Sequence, residues 1–186
     1  MSIFHFKIKL DGAKPSITRE VLVEATKSFE HLHDVIQAAM SWEHSHAYGF
    51  EYKRKSLIVC NKEFMFDGDE KIASKVKLSS YFKEPKNTIT YIYDYGDYWE
   101  HIITLYKILE KDEKQKYPFC LKGKNAAPFE NCGGIWGYYE TLETITNPKH
   151  PQYENMRKWL GLKEGETFDP EFFDIERANQ KLQSLR

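Results

Sequence analysis

Between Tyr91 and His101 the chain reads Tyr-Ile-Tyr-Asp-Tyr-Gly-Asp-Tyr-Trp-Glu-His, one glycine between two aspartates. Residues 88–94 and 98–109 alternate on either side and are rich in β-branched and aromatic types, which predicts a β-hairpin with Gly96-Asp97 in its turn. Strict alternation sends Trp99, His101, Ile103 and Leu105 to one face and Tyr98, Glu100, Ile102 and Thr104 to the other. Such a turn gathers polar groups at one end of a sheet. A second unusual stretch, Pro128-Phe129-Glu130-Asn131-Cys132-Gly133-Gly134-Ile135-Trp136-Gly137-Tyr138, sets three glycines and an acid before a helical pattern. If the two stretches meet in space, they make a site.

The remaining pattern predicts mostly strands first and helices late. Phe4, Phe6, Ile8 and Leu10 alternate with His5, Lys7 and Lys9 in a strand with one buried face, and Asp11-Gly12 turns the chain into a second strand over 17–23. Ser28 offers an N-cap to a helix carrying Phe29, Leu32, Val35, Ile36, Ala39 and Met40 at spacings of three and four. Two short strands are expected over 47–60 around Lys53-Arg54-Lys55, a strand end and acidic loop over 64–70, and a single helical turn over 78–82. Helical spacing returns over 137–145, 151–160 and 174–182. The expected fold is α+β, an antiparallel sheet with helices packed on one face, as a single domain over 1–186.

Together YxYDYGDxWxH and PxENxGGxxGY resemble the signature of the plasmid pRiA4b ORF-3-like family. The likeness extends to Leu32–Met40 followed by Trp42 and His46, to Asn147-Pro148-Lys149-His150, and to the tail from Phe168 to Asp174. It implies an intracellular α+β domain without an established activity, found in some cases as a passenger of mobile elements. Two positions depart from the family pattern. Asn131 stands where Asp is common, and Tyr48 replaces a second frequent His.

The 186 residues suffice to bury roughly two-thirds of the unfolded surface. With 41% hydrophobic and 30% charged residues the chain reads as an ordinary globular protein. A net charge of -1 argues against a broadly basic nucleic-acid surface, and Lys53-Arg54-Lys55 and Lys122-Gly123-Lys124 read as solvated turns. The first residues lack a signal peptide's basic and apolar regions, and no segment is apolar enough to span a bilayer, so a cytoplasmic protein without membrane attachment is expected. Cys60, Cys120 and Cys132 are widely spaced and read as reduced.

Three groups carry candidate chemistry. His101 is expected to pair with Asp94 or Asp97, either as a half-buried structural contact beside a core Trp99 or as an oriented general base or metal ligand. Glu130 precedes Gly133 and Gly134, whose backbone permits close approach of a ligand, although the pattern is neither a phosphate loop nor a dinucleotide fingerprint. His33 borders the apolar stripe of the first helix as a hydrogen-bonded boundary residue, while His44 and His46, two apart, suit a metal. His46, Asp94, Asp97, His101 and Glu130 form a nitrogen and oxygen set suited to a divalent zinc, manganese or iron ion more than to calcium.

These features lead to a ligand- or partner-binding module with a polar, aromatic-edged cleft, in which Asp94, Trp99, Gly133, Gly134 and Tyr138 meet the ligand. The partner class is protein or nucleic acid, since the tyrosines beside Trp99 suit stacking on peptide or bases as well as filling a sheet core. Two alternatives stand beside it. One is a metal-dependent hydrolase of phosphodiesters using Asp97, His101 and Glu130; in the other, both motifs are purely structural.

Overall fold

The computed structural model describes residues 1–52, 56–59 and 70–185, with backbone alone for 56–59. In chain order these form β1 (Ser2–Leu10), β2 (Thr18–Glu24), α1 (Phe29–Met40), β3 (Tyr48–Tyr52), β4 (Ser56–Val59), β5 (Lys71–Ile72), β6 (Thr88–Tyr93), β7 (Trp99–Glu110), β8 (Phe119–Lys124), α2 (Gly134–Thr146), α3 (Tyr153–Trp159) and α4 (Ile175–Ser184). Two 3-10 turns, Ala73–Lys75 and Leu78–Ser80, precede β6. The strands make one sheet in the order β5-β4-β3-β6-β7-β1-β2-β8. Its neighbours are antiparallel except β4 and β5, which run parallel.

Alternation sets the inward face as expected. Phe4, Phe6, Ile8 and Leu10 of β1 and Trp99, His101, Ile103 and Leu105 of β7 are all buried. The apolar stripe of α1 lies against that face, and Ser28 Oγ accepts the His31 N–H at 3.2 Å as the predicted cap. α4 packs beside α1 and β8, so the fold is α+β with helices on the sheet's apolar side.

Two local expectations need correction. Lys122-Gly123-Lys124 lies in β8 instead of a turn, because this strand lacks alternation and owes its place to pairing with β2. His5 does not share the solvation of Lys7 and Lys9; it is buried, with Nε2 2.9 Å from Glu20 Oε2. The hairpin turn spans Asp94 to Tyr98, with Gly96-Asp97 inside it as expected, since Tyr93 pairs with Trp99. Lys53-Arg54-Lys55, Cys60 and nearly all of the expected acidic loop over 64–70 lie outside the described residues.

Arg19 ties the elements together from an inward position of β2, where alternation calls for an apolar residue. Its Nε donates to the Ala39 carbonyl of α1 at 2.9 Å, and Nη1 donates to the Thr18, Lys124 and Asn125 carbonyls at 2.8, 3.1 and 3.0 Å. Phe173 covers the guanidinium, 3.8 Å from ring centre to Cζ, a cation–π contact. Burial lowers the arginine pKa to about 10, leaving it charged at neutral pH. On the other side of β8, the Asn179 amide of α4 accepts the Cys120 N–H at 2.8 Å and donates to the Cys120 carbonyl at 3.0 Å.

Candidate functional site

The hairpin and the glycine segment do meet. Asp97 Oδ2 accepts the Gly133 N–H at 3.2 Å, and the Asp97 carbonyl lies so close to Gly134 that a Cβ there would run into it. Gly133 and Gly134 have φ of 90° and 68°, the left-handed region that favours glycine. Asn131 shares that region at φ 59°, which asparagine tolerates better than most residues. Asp97 thus fastens one loop to the other.

Asp94 shapes the turn itself. Its Oδ1 accepts the Gly96 N–H at 2.9 Å, and its backbone, at φ 56°, receives the Tyr98 N–H at 2.6 Å. Its Oδ2 lies 3.6 Å from His46 Nε2, so this sequence-predicted pair is adjacent. Glu130 belongs to a different contact. Oε1 accepts the Tyr93 hydroxyl in a short hydrogen bond and Oε2 accepts the Glu43 N–H at 2.9 Å. Burial and this carboxylate raise the Tyr93 pKa, so the phenol remains a donor. The same hydroxyl accepts the Ser45 N–H at 3.1 Å, which fixes the segment after α1 over the end of β6.

His101 stands apart from these acids. It is fully buried, not half-buried, and its expected carboxylate partner is replaced by the Trp99 carbonyl, 2.9 Å from Nδ1. The Trp42 and Tyr91 rings flank it, each 5.4 Å away between centres. Burial lowers its pKa to about 4 against the smaller raising effect of backbone hydrogen bonds, so it is neutral near pH 7. His101 Nε2 and Trp99 Nε1 are both buried without a hydrogen-bond partner among the described residues. Trp99 and Tyr138 are core residues.

A contact absent from the predicted metal set joins α1 to the segment behind it. His33 Nε2 and His44 Nδ1 are 3.2 Å apart, and Asp34 Oδ1 is 3.7 Å from His44 Nδ1. His33 Nδ1 meets the Tyr91 hydroxyl at 2.8 Å, and Gln37 Nε2 donates to that hydroxyl at 3.1 Å. His44 reaches this position from a left-handed backbone at φ 58°, with its N–H donated to Gln37 Oε1 at 3.0 Å. The signal in sequence was His33 and Gln37 at i and i+4, two polar groups on one flank of an apolar stripe.

Beside Glu130 opens a cleft of about 740 Å³, within the size range of ligand pockets. Trp42, Phe129, Trp159, Phe168, Phe172 and Phe173 supply aromatic lining; Glu43, Glu130, Glu166, Asp169 and Asp174 supply carboxylates. Arg19 and Arg177 are the basic lining residues, and Arg19 is spent on backbone carbonyls.

A family model described as "Plasmid pRiA4b ORF-3-like protein" matches residues 2–177. The chain belongs to the plasmid pRiA4b ORF-3-like family. An uncharacterized protein from Sinorhizobium fredii, y4hQ, is 31% identical over 183 residues, covering 97% of this chain and 92% of that protein. The crystal structure of MM3350, a protein of unknown function from Methanosarcina mazei Go1, is similar at a TM-score of 0.82 and 35% identity, over 94% of this chain and 96% of that one. In this pRiA4b ORF-3-like chain Tyr48 stacks on His33 with ring centres 3.5 Å apart and planes within 7°. No helix among the described residues is long and apolar enough to cross a membrane.

Proposed function

We propose that this chain is a one-domain binding module whose acid-lined, aromatic-edged cleft takes a basic segment of a protein partner. The cleft carries the reading: five carboxylates share its lining with six aromatic rings. Phe172 and Trp159 are 61% and 52% exposed, so apolar surface stays available at its rim. A lysine or arginine side chain suits such a lining because it couples to carboxylates and to aromatic faces at once. Phosphate-bearing strands are repelled there, which separates this reading from nucleic-acid binding. Free Cys120 and Cys132 support residence in a reducing cytoplasm. A hydrolase built on Asp97, His101 and Glu130 has less support, since the three hold different partners.

Tryptophan fluorescence of the whole chain, titrated with a lysine- and arginine-containing peptide, an acidic peptide of equal length and a single-stranded oligonucleotide, tests it. Saturable binding of the basic peptide alone, weakened by salt and by Glu43→Gln/Asp169→Asn, is expected. Preference for the oligonucleotide or the acidic peptide, or no binding of any of them, would overturn the proposal.

A further inference from the structure

We propose that His33, Asp34 and His44 bind a divalent transition-metal ion, zinc by preference. This inference stands independently of the cleft. One donor atom from each residue lies within 4.8 Å of the other two. Two donors held at the usual ~2.0–2.1 Å from a tetrahedral zinc stand roughly 3.3 Å from each other. The His33 Nε2 to His44 Nδ1 separation of 3.2 Å fits that requirement without rearrangement. A hydrogen bond between the two imidazoles explains that pair alone. It leaves the Asp34 carboxylate 3.7 Å from His44 Nδ1, too long for a hydrogen bond and suited to sharing an ion.

The supporting groups match what a metal ligand needs. When His33 Nδ1 donates to the Tyr91 hydroxyl, Nε2 presents its lone pair toward His44. Gln37 holds both sides of the site, through the Tyr91 hydroxyl and the His44 N–H. Burial, and then the neighbouring His44, keep His33 neutral, and the Tyr48 stack fixes its orientation. His44 and Asp34 side chains are 42% and 35% exposed, which gives an ion access from solvent. Two imidazoles and one carboxylate leave the fourth tetrahedral position for water or a ligand atom.

Calorimetric titration of zinc into the chelator-treated whole chain tests the site, with cobalt absorption as a second readout of its geometry. Wild type is expected to take up one equivalent and to give a tetrahedral cobalt spectrum. His44→Ala and Asp34→Asn, both at partly exposed positions and checked for folding by circular dichroism, are each expected to weaken binding by about tenfold or more. His46→Ala is expected to bind as wild type does. No stoichiometric uptake by folded wild type, unchanged uptake by His44→Ala or Asp34→Asn, or equal loss in His46→Ala would each overturn the proposal.

Discussion

The Asp97 carboxylate accepts the Gly133 backbone N–H at 3.2 Å, so the acid of the hairpin turn holds the glycine segment and leaves His101 to the core. Gly134, next in line, carries φ 68° and faces the Asp97 carbonyl. Gly134→Ala meets both a backbone penalty and a clash, and is expected to destabilise by about 2 kcal/mol or more. Asp97→Ala loses one hydrogen bond, at about 1 kcal/mol. Urea unfolding of the two variants checks the order; a neutral Gly134→Ala would mean that the loops are not fastened in this way.

His101 makes stability depend on acid. Its imidazole has the ordinary histidine pKa of 6.5 when unfolded and about 4 when folded, lowered chiefly by burial. Between those values the unfolded chain binds more protons, so this contribution is complete above about pH 6.5 and is lost as pH falls toward 4. His101→Leu, which keeps an apolar body in the same place, is expected to flatten the acid limb of a melting-temperature profile. His101→Ala is expected to cost about 2–4 kcal/mol at neutral pH through the cavity it leaves. An unchanged acid limb in His101→Leu would refute the assignment.

Tyr93 and Glu130 anchor the segment after α1. Tyr93→Phe removes the donor to Glu130 and the acceptor for the Ser45 N–H, and is expected to cost about 1–3 kcal/mol. Hydrogen exchange at Ser45 should rise with it. Protection that persists at Ser45 in a folded Tyr93→Phe would show that this hydroxyl does not hold the segment.

Arg19 should not accept a lysine. Its fork serves carbonyls from β2, α1 and the end of β8, a geometry that a single ammonium does not reproduce. Arg19→Lys is expected to lose about 2 kcal/mol or more, and Arg19→Ala more still. Chemical denaturation measures both, and a Lys variant as stable as wild type would show that charge suffices without the fork.

The hairpin and α1 were legible because each repeats its own period: Trp99, His101, Ile103 and Leu105 at two residues, Phe29 to Met40 at three and four. β8 was not legible, since Phe119–Lys124 lacks alternation and is assembled by long-range pairing with Thr18–Leu22. The meeting of the two loop motifs was legible as a condition, but its chemistry was not. Whether Asp97 reaches His101 or Gly133 depends on a five-residue turn with positive φ at Asp94 and Tyr98. His33 and His44 were missed as a pair for a similar reason: the left-handed backbone at Ser41 and His44 folds the second histidine back over the helix. Arg19 left a trace, a charged residue in phase with Val21 and Val23.

The Asn179 amide meets both backbone groups of Cys120, giving β8 at one residue what another strand would give along its length. An extended peptide or a second copy seeking to lengthen the sheet at that margin must first dislodge a side chain anchored in a helix. At the β8 edge of the sheet, strand addition over Cys120 therefore competes with a carboxamide that α4 already holds in place.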